Sequence, residues 1–192
     1  RHSQAIAGLV GGNLLLMVSY LFGWITAAEL LWSYWLQSVA IGFFNYRRMM
    51  GLDRFSTENL KSNGQPVPNT PEGKRSTARF FALHYGIFHV VYAGFISMQT
   101  PSGSTWLWVA LAASGFVSGE FSTYRRHRAT DPLWEPDLGT IMFQPYLRII
   151  PMHFAIMTFT LAGAVLLPLK LFADIGMYLV DEHLEAKRLQ AA

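Results

Sequence analysis

Cysteine is absent from the 192-residue sequence. Its absence excludes disulfides, iron–sulfur clusters and thiolate zinc sites. Charge is also scarce, since 14% of the residues are Asp, Glu, Lys or Arg, whereas soluble domains contain about a quarter. Hydrophobic residues make up 52% of the chain and aromatic residues 15%. This composition predicts an integral membrane protein whose aromatic rings lie at the membrane interfaces.

The common nucleotide-binding and hydrolase motifs are missing as well. The sequence contains no Walker loop, no G-x-G-x-x-G, no G-x-S-x-G and no H-E-x-x-H, and it shows no internal repeat. The formal net charge of +3 comes from basic residues in two loops, so it indicates contact with anionic lipid rather than with nucleic acid. We therefore predict a non-enzymatic protein without catalytic residues, whose partners are the lipid bilayer and other membrane protein subunits.

Long uncharged stretches predict about five transmembrane helices in a single all-α domain. About 20 helical residues cross the ~30 Å hydrocarbon core of a bilayer. A polar loop separates the second predicted span from the third, and its Ser/Asn/Gly/Pro-rich middle indicates flexibility. The predicted spans are 5–22, 29–46, 80–98, 105–124 and 149–168, and the flexible loop is 49–79.

The chain changes character after Pro168, where we predict an amphipathic helix over 169–188. Apolar residues recur there at helical spacing, opposite Asp174 and Asp181. Such a helix is typical of the membrane interface. A sixth span is the alternative, although only 175–180 is free of charge within this segment.

The distribution of Lys and Arg predicts the orientation of the spans. Basic residues cluster in 47–79 and in 125–148, whereas the connections 23–28 and 99–104 contain none. By the positive-inside rule, the two basic loops face the cytoplasm. Five spans then place the N-terminus in the cytoplasm and the C-terminal extension on the outer side of a prokaryotic inner membrane.

Polar side chains inside the predicted spans are the functional candidates, because burying them in a membrane is costly. Glu29 begins span two, where it can cap the helix and lie at the outer interface. Gln37 and Asn45 are predicted to be buried polar residues of the same span, and Gln37 needs a hydrogen bond to another helix.

Two histidines are candidates for a metal or haem site. His84 in span three and His153 in span five lie at similar predicted depths, with Glu29 as a further candidate ligand. Two imidazoles on facing helices can hold a haem iron or a single metal ion. The alternatives are neutral histidines bonded to neighbouring helices and a proton relay. We expect no cofactor, with haem or a metal ion as the alternative.

Two glycine pairs are predicted helix-packing sites. Gly8-x-x-x-Gly12 lies in span one and Gly115-x-x-x-Gly119 in span four. This spacing allows another helix backbone to approach closely. The pattern favours a protein that packs against other membrane helices.

Several segments together carry a family resemblance. Span two contains Glu29, then Tyr34-Trp35-Leu36-Gln37-Ser38 and Gly42-Phe43-Phe44-Asn45, and span three contains His84-Tyr85-Gly86-Ile87-Phe88. With the segments around His153 and Asp174, they resemble a family of uncharacterised prokaryotic multi-pass membrane proteins. The resemblance implies the topology but no chemical activity.

The departures from that family pattern concern possible ligands. The resemblance implies an acid at Gln37, a histidine at Tyr92 and another histidine near Tyr178. His84, His153, Lys170 and Asp174 match the pattern. If those positions form a metal or proton site in the family, this chain lacks several of its members, which favours a non-catalytic role.

Three hypotheses about function follow from the sequence. The first is an accessory or structural subunit of a larger membrane complex. The second is an intramembrane metal- or haem-binding redox protein that uses His84 and His153. The third is a small transporter, which is disfavoured by the lack of a broken helix pair and of a continuous polar lining.

Overall fold

The computed structural model describes residues 13–104, 106–157, 171–183 and 186, and these residues form an all-α bundle. The predicted fold class is therefore confirmed as all-α. A short 3₁₀ helix and one two-stranded antiparallel hairpin complete the described secondary structure. The elements are α1 (13–21), α2 (Ala27–Met50), β1 (Lys61–Ser62), β2 (Gln65–Pro66), α3 (Pro71–Met98), α4 (Trp106–Thr130), the 3₁₀ helix (Asp131–Leu133), α5 (Leu138–Met157) and α6 (171–183).

Local capping signals determine where α2 and α3 begin. The Thr26 hydroxyl accepts the Glu29 N–H at 3.2 Å, and the Glu29 carboxylate accepts the Thr26 N–H at 2.7 Å, which forms a capping box. The expected capping role of Glu29 is thereby confirmed. Thr70 caps α3, and Pro71 occupies its first turn. As a result, α3 begins at Pro71 rather than near residue 80.

The predicted flexible loop 49–79 is largely structured. Its last residues belong to α3, and its centre forms the β1–β2 hairpin. Leu52, Phe55 and Leu60 are buried in an apolar cluster with residues of α2, α3 and α5. These three side chains anchor the connection because each removes apolar surface from water.

The long helices alternate in direction around α2. Trp35 donates to the His89 carbonyl at 2.8 Å, and Trp32 donates to Thr100 at 2.9 Å, so α3 runs antiparallel to α2. Ring contacts of Trp32 with Trp106, and of Phe44 with Tyr124, show that α4 runs parallel to α2. α5 runs parallel to α3, because His84 contacts Tyr146 and Tyr92 contacts His153.

The two basic connections meet at one end of the bundle, called here the basic end. The Ser56 N–H donates to the Pro136 carbonyl at 3.0 Å, and the Leu138 N–H donates to the Ser56 carbonyl at 2.8 Å. The Lys74 ammonium group also donates to the Leu52 carbonyl. The connection 99–104 lies at the opposite end, which we call the uncharged end.

The described part of α6 packs against the bundle. Asp174 and Asp181 are buried, whereas Phe172 and Leu179 are exposed, so the acidic side of the helix faces the bundle. Asp181 contacts Arg126 and His127 near the end of α4. Buried carboxylates require such partners. The described end of α6 therefore lies at the basic end rather than at the opposite one.

A test of length and hydropathy supports one membrane span. Among the described residues, α3 (Pro71–Met98, 28 residues) is the helix long and apolar enough to cross a membrane. This result is compatible with membrane insertion, and among the described residues it concerns one helix rather than the predicted five. The predicted spans 5–22 and 149–168 and the helix 169–188 lie partly outside the described residues.

Candidate functional site

The two candidate histidines bond to tyrosines across the contact between α3 and α5. His84 Nδ1 lies 2.9 Å from the Tyr146 hydroxyl, and His153 Nδ1 lies 2.8 Å from the Tyr92 hydroxyl. Tyr146 and His153 are seven residues apart, so about 10 Å of helix separates the two pairs. The structure brings each histidine to a tyrosine and places the two pairs two turns apart.

Glu29 lies far from the pair of His84 and Tyr146. Its carboxylate accepts a hydrogen bond from Thr26. Glu29 is one turn before Trp32, whose indole donates to Thr100 just beyond the end of α3. His84 is about 20 Å further along α3, at 1.5 Å per residue. The three candidate ligands thus occupy separate places. Within the described part of the chain, no group of three or more His, Asp or Glu side chains is arranged to hold a metal ion.

A buried hydrogen-bonded cluster of Ser38, Tyr85 and His89 joins α2 to α3. The Ser38 hydroxyl lies 2.9 Å from His89 Nε2 and 2.9 Å from the Tyr85 hydroxyl. His89 Nδ1 faces the Tyr85 carbonyl at 2.8 Å, and this carbonyl can only accept a hydrogen bond. In a neutral ring, Nε2 therefore accepts the Ser38 proton. Such fully bonded buried clusters make a helix contact rigid.

The other predicted buried polar residues of α2 have different environments. The Asn45 amide donates to the Ile141 carbonyl at 2.9 Å, so it joins α2 to α5. Gln37 is 4% exposed and lines a cavity. Gln37 is thus buried within the chain, whereas Asn45 is half-buried.

An ion pair at the basic end holds α2 against the 3₁₀ helix. Arg48 donates to both carboxylate oxygens of Asp131, each at 2.8 Å, and both side chains are 7% exposed. The planar guanidinium matches a carboxylate in this two-bond geometry. Arg48 is therefore an interior contact rather than an exposed residue of a basic loop.

A second group of charged side chains joins α4, α5 and α6. Arg148 donates to Glu120 at 2.8 Å. Arg126 and His127 both contact Asp181, at 3.1 and 3.0 Å. Burial lowers the pKa of Arg148, but the nearby carboxylates, with Glu120 foremost, outweigh it and raise that pKa above its usual value. The guanidinium therefore stays charged.

A cavity of about 620 Å³ opens beside this charged group. α4 forms much of its wall, from Trp108 to Arg126, and residues of α1, α2, α5 and α6 form the rest. Its lining is apolar near Trp108 and Phe116 and charged near Glu120 and Arg126. The cavity is thus amphipathic along the axis of the bundle.

The glycine pair of α4 faces this cavity. A Cβ atom added at Gly115 or Gly119 meets none of the described residues within 4 Å. A close contact between helices of the chain occurs at Gly42 of α2, where an added Cβ atom lies 2.8 Å from Tyr85 Cδ1. Gly8 and Gly12 lie outside the described residues.

The described structure defines a class of helical bundle with apolar side chains outside and paired polar side chains inside. The chain belongs to the "Family of unknown function (DUF6498)", whose model matches residues 1–191. This finding confirms the resemblance to an uncharacterised family. No curated protein and no solved structure shows significant similarity to the chain.

Proposed function

We propose that the chain is a non-enzymatic, multi-pass protein of a prokaryotic inner membrane that serves as an accessory subunit of a larger membrane assembly. The observation that carries the proposal is the distribution of polarity. Arg48, Asp131 and Asp181 are buried, whereas Leu83 is 67% exposed and Val90 is 74% exposed. Large contiguous apolar surfaces are costly in water and mark contact with a membrane or with other proteins.

Polar residues lower the hydropathy of α2. Trp32 and Trp35 count against membrane insertion on a hydropathy scale, as do Gln37 and Asn45. Both indoles nevertheless donate hydrogen bonds to α3 or to the residues that follow it. A polar group bonded inside the bundle costs less in lipid than an isolated one. We therefore propose that α2 crosses the membrane.

The contacts of α6 favour a sixth span over an interfacial helix. Its acidic residues face the bundle, its apolar residues Phe172 and Leu179 are exposed, and Asp181 meets the basic end of α4. Apolar residues outside and paired charges inside are expected of a helix surrounded by lipid. In this proposal both termini lie in the cytoplasm, together with the two basic loops.

The pairing of the intramembrane histidines supports a structural role. His84 and His153 each use one ring nitrogen on a tyrosine of the facing helix. Such bonds hold helices together, with about 0.6 kcal/mol each as the average measured in membranes. Because these histidines are bonded to tyrosines of the same chain, they support a structural role, which is the role proposed for an accessory subunit. A metal or haem protein using His84 and His153 remains the competing prediction.

Purification of the tagged protein in a gentle detergent tests this function. We expect a colourless protein that co-elutes with larger membrane proteins at fixed stoichiometry. His84→Phe and His153→Phe should leave that stoichiometry unchanged, because in this proposal both rings bond to tyrosines of the same chain and not to another subunit. A Soret band or a stoichiometric metal that either substitution removes would establish the competing hypothesis. Elution as a lone monomer would exclude the subunit role.

A further inference from the structure

The 620 Å³ cavity has the size and the polarity of a ligand site. Ligand pockets in proteins measure about 300–1,000 Å³. Trp108 lines one part of this cavity, and Arg126 lines another part on the same helix. Those two residues are separated by about 27 Å of helix rise. The space is therefore long, with an apolar part and a charged part.

We propose that this cavity binds one phospholipid with a zwitterionic headgroup, drawn from the leaflet at the basic end of the bundle. The inference rests on the membrane location proposed above. The acyl chain lies along the apolar wall, and the headgroup lies among the charges near Arg126 and Arg148. A phospholipid is charged at its headgroup and apolar along its acyl chains, as the cavity is charged near Arg126 and apolar near Trp108.

The charges in the lining favour a headgroup that carries both signs. Arg126 and Arg148 present guanidinium groups, which bind phosphate in a two-bond geometry. Glu120 and Asp181, which bond to Arg148 and Arg126, present carboxylates to the same space, so these four side chains together carry no net charge. A headgroup that carries both signs keeps that balance, whereas a purely anionic headgroup adds a charge close to the two carboxylates. Phosphatidylethanolamine supplies both the phosphate and the ammonium group.

The direction of the cavity matches a lipid of one leaflet. Arg126 lies one turn before the end of α4 at Thr130, which is at the basic end. Trp108 lies near the start of the same helix, at the uncharged end. A lipid whose headgroup lies at the cytoplasmic surface points its acyl chains toward the uncharged end. The charged part of the cavity is therefore at headgroup depth.

Gln37 is a second polar feature of the cavity. Its side chain is 4% exposed and lines the cavity. The amide can bond to the glycerol esters of a lipid, because these carbonyl groups lie between the headgroup and the acyl chains.

Native mass spectrometry of the full chain tests the site. The protein is taken from vesicles made of equal amounts of phosphatidylethanolamine and phosphatidylglycerol. We expect one retained phosphatidylethanolamine per chain. Gly119→Leu fills the cavity and should lower that occupancy by about tenfold or more. Gly94→Leu is the matched control, because Gly94 is also helical, and an added Cβ atom there meets none of the described residues within 4 Å.

A second substitution tests the headgroup contact. Arg126 is 34% exposed at its side chain, so the bundle should tolerate Arg126→Gln. This change should weaken retention of phosphatidylethanolamine, since it removes a guanidinium group from the phosphate. Equal retention of phosphatidylethanolamine and phosphatidylglycerol would show that the cavity holds any bilayer lipid and does not recognise the headgroup. That result would overturn the proposal.

Two further outcomes separate this inference from the proposed function. Equal retention by Gly119→Leu and Gly94→Leu, or no retained lipid in a protein that still co-elutes with membrane subunits, would overturn the lipid site alone. Recovery of the chain in the soluble fraction of lysed cells would overturn both.

Discussion

Replacing Arg48 with Met is expected to destabilise the protein by about 3–5 kcal/mol, the cost of leaving a buried charge without its partner. Arg48 and Asp131 are both 7% exposed and share two hydrogen bonds of 2.8 Å. Without the guanidinium, the Asp131 carboxylate remains buried near the 3₁₀ helix. The measurement is thermal unfolding of the purified protein in detergent.

The neighbouring arginine gives a matched control for this prediction. Arg47 is exposed, so Arg47→Met should change stability by no more than about 0.5 kcal/mol. The double variant Arg48→Met with Asp131→Leu should recover much of the loss, because it removes both charges. Equal melting temperatures for Arg48→Met and Arg47→Met would contradict an interior ion pair at this position.

Replacing Gly42 with Ala is expected to destabilise the protein by about 1–3 kcal/mol, the usual cost of overpacking a core. A Cβ atom at this position would lie 2.8 Å from Tyr85 Cδ1, so the ring must move. That movement breaks the hydrogen bonds of Tyr85 to Ser38, which join α2 to α3. The loss should appear in the same thermal measurement.

Gly115→Ala is the control for Gly42→Ala, because it should not lower the stability of the protein. An added Cβ atom there meets none of the described residues within 4 Å. Because alanine favours a helix over glycine by about 1 kcal/mol, this variant should be neutral or slightly more stable. A Gly42→Ala variant as stable as Gly115→Ala would show that α2 and α3 do not approach closely at Gly42.

Helix content was predictable from the sequence because its signals are local. Uncharged stretches placed α2, α3 and α4 near their observed positions, and Glu29 was expected to cap α2. The observed boundaries of α3 and of the loop before it differ from the predicted ones because capping and turn residues also act there. Thr70 and Pro71 start α3 early, and the Asn63-Gly64 dipeptide, with φ of 51° and 77°, forms the hairpin turn inside the predicted flexible loop.

The polar contacts could not be predicted because they join distant parts of the chain. Arg48 and Asp131 are 83 residues apart, and Glu120 and Arg148 are 28 residues apart. Residue type alone does not say which partner a buried charge will find. For the same reason, the sequence suggested that His84 and His153 meet each other, whereas each bonds to a tyrosine.

Two of the three positions where the family resemblance implies a different residue are close to one another in the fold. Gln37 and Tyr178 line the same cavity, and Tyr92 bonds to His153 at 2.8 Å. Amide and phenol groups at these places suit hydrogen bonding rather than the binding of a hard metal ion. The lining is consistent with the non-catalytic role and the lipid site proposed above.

The central claim is that the bundle crosses a membrane with both basic loops on the cytoplasmic side. Because the chain contains no cysteine, single introduced cysteines report their own position. Ser62→Cys lies in the hairpin of the basic end, Ser102→Cys lies in the connection at the uncharged end, and His183→Cys lies in the last described turn of α6. The reagent is a membrane-impermeant maleimide applied to intact cells.

We expect Ser102→Cys to be labelled from outside, and Ser62→Cys and His183→Cys to be labelled only after permeabilisation. Labelling of His183→Cys from outside, with the other two as expected, would favour five spans and an external extension. Labelling of Ser62→Cys and Ser102→Cys from the same side of the membrane would contradict the claim that the bundle spans it.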